Sequence, residues 1–132
     1  MDLPVADAVV SWPIEEIPPE DHLWMRVHTK DIEDGEILPR AFRNRPPKTG
    51  GMSTDWAKYR TAQDTRNDGR AGPENYAVIR LNVGEVRVIP DQKVEHTPDV
   101  AKNNRAHTDV FGEKNPQTRV LLIRAAKFEL NL

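Results

Sequence analysis

A mixed α+β domain with a mostly antiparallel sheet is the fold class that these 132 residues predict. Three observations predict it. Short alternating apolar runs recur along the chain, as in half-buried strands. Asn115-Pro116, a favoured N-cap before a favoured first-turn proline, opens a C-terminal helix with a broad apolar stripe. Eleven prolines and seven glycines break the rest into short elements. The length suits one domain with one modest core. The expected layout is an extended proline-rich arm over residues 1–21, then a single α+β domain over 22–132.

Taken in order, the prolines of SWPIEEIPPED oppose helix, so the arm should run extended. Its Val9, Val10, Trp12, Ile14 and Ile17 are costly to leave in water, so it should pack on the domain or on another subunit. His22–His28 alternates as a strand, with Leu23, Met25 and Val27 on one face and His22, Trp24, Arg26 and His28 on the other. TKDIEDG (29–35) reads as one helical turn capped by Thr29 and ended by Gly35. From 39 to 52 the chain is basic, its RPPKTGG reads as loop, and MSTDWAKY reads as a short strand or turn. Thr61 opens a short polar helix, with Asp64 at the reciprocal capping position. The clearest core strand covers 76–83, where Ala77, Ile79, Leu81 and Val83 share an apolar face. Gly84 should break it, and VRVI should resume as strand until Pro90. KVEHT (93–97) and AHTDVF (106–111) are two further strands. The helix 116–127 should bury Val120, Leu121, Leu122, Ile123 and Ala125. FELNL closes the chain as a strand with Phe128, Leu130 and Leu132 on one side.

Composition narrows the function classes. The chain has no cysteine, which excludes disulfides, thiolate metal sites and cysteine nucleophiles. MDLPVADAVV is a poor signal peptide, and no apolar stretch reaches the ~18 residues of a membrane span. A cytoplasmic protein without membrane contact is therefore expected. The net charge of −2 conceals a division. Residues 1–36 hold ten acidic and two basic side chains, whereas residues 40–70 hold eight basic and three acidic. The basic segment leaves nucleic acid as a possible partner, but it lacks the interleaved aromatics that stack on bases. Local neutralisation between the two segments is the favoured alternative.

Chemistry concentrates near NNRAHTDVFGEKNP. Arg105, His107 and Asp109 occupy alternate positions of a strand, and Arg26 and His28 repeat the pattern on the first. If these two strands adjoin, Arg26, His28, His107 and Asp109 form one polar cluster, with His96 nearby. Imidazole can take and give protons near neutrality. His28, His107 and Asp109 are thus the candidate catalytic residues. Arg26, Ser53 and Arg105 are candidate anion-binding residues, with Asp55 beside Ser53. No histidine pair has compact metal-ligand spacing, so neither a metal nor a cofactor is expected. The chain has no G-x-S-x-G, no G-x-G-x-x-G and no Walker loop. The leading expectation is a protein that binds a protein partner, or a second copy of itself, through the arm. The alternative is an enzyme acting on a phosphate-containing or nucleotide (NAD-like) substrate through the His/Arg cluster.

The set RVH (26–28), DG-x(5)-AFR (34–43), MSTDW (52–56), VEHTP (94–98) and NRAH (104–107) resembles a group of short uncharacterised bacterial proteins. The resemblance spans residues 22 to about 127 and implies a bacterial cytoplasmic setting, with no activity attached. A first strand bearing Arg or His, followed later by Ser-Thr, is also similar to the layout of ADP-ribosyltransferase-like folds. That likeness implies a later catalytic glutamate, for which Glu95 is the positional candidate.

Overall fold

In the computed structural model, which describes residues 11–46 and 50–132, the alternating runs become strands. The elements are β1 (His22–His28), β2 (Ile32–Glu33), β3 (Glu36–Ile37), β4 (Met52–Trp56), α1 (Ala62–Asn67), β5 (Tyr76–Asn82), α2 (Val83–Arg87), β6 (Lys93–His96), β7 (His107–Phe111), α3 (Pro116–Ala125) and β8 (Lys127–Leu130). Six strands form one antiparallel sheet in the order β6-β7-β4-β1-β5-β8, and β2 and β3 form a separate hairpin. The α+β class, the antiparallel sheet and the C-terminal helix are as the sequence predicts.

Three connections cross the sheet: that from β4 to β5 carries α1, while the two longer crossings, from β5 to β6 and from β7 to β8, carry α2 and α3. Both helices pack on the face that holds Leu23, Met25, Val27, Met52, Trp56, Ile79, Leu81 and Val110, with Val86 and Leu122 among the buried residues of that core. The opposite face is only partly covered, by α1 against β1 and β5. That uncovered area is where the polar side chains of β1, β4 and β7 gather.

The described part of the arm is built into the domain. Ile17 is only 2% exposed and belongs to the core. Its carbonyl accepts from Arg87 Nη1 at 2.7 Å, Pro19 O accepts from Gly84 N at 2.9 Å, and Asp21 O accepts from Val83 N at 2.9 Å. Ile14, by contrast, is 77% exposed. Val9 and Val10 lie outside the described residues.

Several local expectations need correction. TKDIEDG is no single helical turn. A short 3-10 turn over Thr29–Asp31, capped by the His28 side chain, leads into the β2–β3 hairpin. Asp34 (φ 54°) and Gly35 (φ 80°) supply the two left-handed residues that a tight hairpin turn demands. VRVI does not resume as strand, because the Asn82 side chain accepts from Glu85 N and starts α2. α3 buries Thr118 and Leu122, while Val120 is 44% exposed. Phe128 and Leu132 are also exposed on and beyond the edge strand β8. Finally, β1 and β7 do not adjoin, since β4 lies between them.

Candidate functional site

Because β4 lies between β1 and β7, the residues to compare are those level with one another across three strands. Register places Trp24, Asp55 and His107 in one row, and Ser53 beside Asp109 in the next. All point to the face away from the core. Above them is a cleft of two connected hollows, about 590 Å³ and 450 Å³, that share Arg26, Arg43, Arg45, Ser53, Asp55, Arg70 and Tyr76. His28 lines the larger hollow and His107 the smaller.

The hydrogen bonds define the state of His107. Its Nδ1 lies 3.0 Å from the Thr97 carbonyl oxygen and 3.0 Å from Thr97 Oγ1. Thr97 Oγ1 spends its proton on Asp109 Oδ2 at 2.9 Å, so toward the imidazole it can only accept. Nδ1 must therefore carry the hydrogen. Nε2, the remaining acceptor, faces Ser53 Oγ at 2.9 Å, and the serine hydroxyl donates to it. Asp109 is held in turn by Arg45 Nη2 at 2.9 Å. Donation thus runs from Ser53 through His107 and Thr97 to Asp109, where Arg45 donates from the other side, and the serine oxygen keeps its lone pairs free of the base. His107 itself is only 8% exposed.

Its surroundings are shaped by packing. A Cβ at Gly51 would sit 2.8 Å from Asp109 Cβ, so no larger residue fits there without moving the carboxylate. Asp55 accepts from Thr65 Oγ1 at 2.8 Å and from Asn104 Nδ2 at 2.8 Å, with Arg60 at 3.7 Å. It is a saturated structural carboxylate. Lys114, buried behind the loop that bears Arg43 and Arg45, donates to Asn44 Oδ1, Val110 O and Gly112 O at 2.7–3.0 Å. Burial pushes its pKa down to about 8, and three matched acceptors retain the proton at neutral pH.

The larger hollow is lined by five cations, Arg26, Lys30, Arg43, Arg45 and Arg70, against two carboxylates, Asp31 and Asp55. Arg26 Nη1 donates to Thr65 O at 2.7 Å, and its guanidinium lies 5.9 Å from the centre of the Tyr76 ring. Arg43 is 3.5 Å from Asp31. Arg70 makes no hydrogen bond or ion pair among the described residues. The cleft is therefore a cationic hollow with unused guanidinium donors above a serine–histidine pair.

Of the residues singled out in the sequence, Ser53, His107 and Asp109 come together, and Arg26 and His28 line the same cleft. His28 uses Nδ1 to accept from Lys30 N at 3.1 Å and stacks edge-on with Tyr76, and it makes no contact with His107. Arg105 is a correction. It precedes β7, where the isolated bridge between Asp99 and Asn104 ends the strand alternation, and its guanidinium sits 4.3 Å from the centre of the Tyr59 ring and 3.5 Å from Glu15. His96 is a second correction. It pairs with Thr108 on the core face, donates from Nε2 to Arg105 O at 2.7 Å and accepts at Nδ1 from Glu15 N at 3.0 Å. Glu95 is exposed on the edge strand and lines the groove beside the arm instead of the cationic cleft. Sequence reasoning missed Thr97, Arg45 and Arg70. Thr97, immediately after a strand histidine in VEHTP, was the detectable signal.

A small cysteine-free α+β domain with a cationic, serine- and histidine-floored cleft is the class that fold and site define. Comparison of the chain with protein-family models, curated proteins and solved structures found no match. Among the described residues, no helix is long and apolar enough to cross a membrane, and no group of His, Asp and Glu could hold a metal ion.

Proposed function

We propose that the chain binds a phosphate-bearing small molecule in the cationic cleft and acts on it through Ser53 and His107. The observation that supports this reading is the position of the Ser53–His107 hydrogen bond, 2.9 Å long, beneath guanidinium groups with unspent donors. Planar guanidinium forks match phosphate oxygens and bind them more strongly than neutral donors do. In this reading Arg26, Arg43 and Arg70 hold the anion, His107 moves the proton, and Asp109 orients His107 through Thr97. His28 and Tyr76 form the rim. A bacterial cytosol, as the motif resemblance implies, would supply such substrates.

Titration calorimetry with inorganic phosphate and with p-nitrophenyl phosphate tests this. Saturable binding is expected, weakened about 10- to 100-fold in Arg70→Ala, the size of one or two charge-assisted hydrogen bonds. Among the described residues Arg70 makes no hydrogen bond or ion pair, so its removal should leave the melting temperature unchanged. No saturable binding of either compound would reject the reading.

A second reading, capture of a protein partner by the arm, draws on exposed Ile14. Ile17 and Glu15 weigh against it, because both are already committed to the chain's own core and to Lys58, Tyr59 and Arg105.

A further inference from the structure

We infer that Ser53 is a covalent nucleophile whose reaction with phosphate monoesters passes through a phosphoserine, an inference that rests on the phosphate reading of the cleft. Sequence patterns for serine nucleophiles do not reveal it, since Ser53 lies mid-strand on β4 with no elbow motif. Its environment does. The hydroxyl donates to His107 Nε2, and the protonation of Nδ1 is dictated by Thr97, whose own hydroxyl is turned toward Asp109. A serine with an oriented base and an orienter behind that base is the constellation that activates a hydroxyl.

The step balances without any group beyond substrate and water. Ser53 Oγ attacks phosphorus and loses its proton to His107 Nε2. The ester P–O bond breaks on the side opposite Oγ, and the departing oxygen takes a proton from water to leave as an alcohol. The hydroxide so formed attacks the phosphoserine phosphorus from that same side. The Oγ–P bond breaks, Oγ regains its proton from His107, and inorganic phosphate leaves. Arg26 and Arg70 neutralise the non-bridging oxygens throughout. Thr97 is a positioning residue in this scheme, because it touches His107 and Asp109 and not the substrate.

The test is labelling of the whole purified chain with diisopropyl fluorophosphate, an uncharged phosphorylating agent, followed by peptide mass spectrometry. One adduct is expected, on Ser53. Ser53→Ala should abolish it, His107→Gln should slow it at least tenfold, and Thr97→Val should slow it and shift its pH profile. Inorganic phosphate should compete. An unmodified Ser53 in folded protein would overturn the inference, and so would a labelling rate unchanged in His107→Gln. If His107→Gln does not melt cooperatively, Thr97→Val decides by the same criterion. Because the agent is uncharged, labelling without phosphate binding would leave Ser53 a nucleophile but refute the phosphate reading and the phosphoserine with it, whereas phosphate binding without labelling would refute only the nucleophile.

Discussion

Two histidines eleven positions apart, on neighbouring strands, have opposite fates. His96, opposite Thr108 on the core side, has both ring nitrogens bonded to backbone groups and packs between Trp56 and Tyr59. His107 keeps one ring nitrogen for a serine. Period-two alternation foretells which face a strand residue takes, but not which partners wait there. That depends on pairing between segments distant in sequence, and so Ser53 appeared only as a possible anion ligand. Lys114 gives a prediction at this scale. Its folded pKa of about 8 lies below the ordinary 10.5, so the folded chain binds that proton less tightly than the unfolded chain. Stability from this group therefore rises with pH from about 8 to about 10.5, and its cost is full below 8. Denaturant titrations at pH 7.5 and 10 should show a gain in the native protein that is absent in Lys114→Met; equal pH dependence in both would contradict it.

Among the elements, those with strong alternation were legible. β1, β6 and β7 lie within a residue or two of their expected spans, and the Thr61 and Asn115 caps start α1 and α3 as read. The failures come from side chains that cap or turn. Asn82 ends β5 by starting α2, where a run of valines looked like more strand. Asp34-Gly35 makes a hairpin where a helical turn was read. The alternation that groups Arg105 with His107 fails because it runs back past Ala106 into the turn closed by the Asp99–Asn104 bridge, where Asn103 has a φ of 52°. Just before β4, the close approach of Gly51 to Asp109 ties the strand's entry to the site. Gly51→Ala should displace Asp109 and lower the apparent phosphate affinity several-fold while costing about 1–3 kcal/mol of stability. Calorimetry and thermal melting measure both, and native affinity in a folded variant would contradict the link.

For the whole molecule, the acidic segment 1–36 and the basic segment 40–70 meet. Lys58 bonds Glu15 at 3.0 Å, and Arg40 and Arg43 converge on Asp31. The Tyr59 hydroxyl, then Lys58, hold the Glu15 carboxyl below its ordinary pKa, and Glu15 raises that of Lys58. Lys58 is half-exposed, so salt should screen its pairing with Glu15. The division of charge visible in the sequence thus resolves into local pairing, with the surplus left in the cleft. The arm's anchor is apolar: Ile17→Ala should cost about 2–4 kcal/mol by leaving a cavity under the arm, whereas Ile14→Ala should cost less than about 0.5 kcal/mol. Similar losses for both, measured by denaturant unfolding, would contradict the packing described. The cationic cleft remains the central claim. Nuclear magnetic resonance of the arginine side chains during titration with inorganic phosphate tests it most directly. Saturating shifts are predicted for Arg26, Arg43 and Arg70 together with the His107 ring, and shifts spread over surface arginines such as Arg87 and Arg124, with the cleft unmoved, would contradict it.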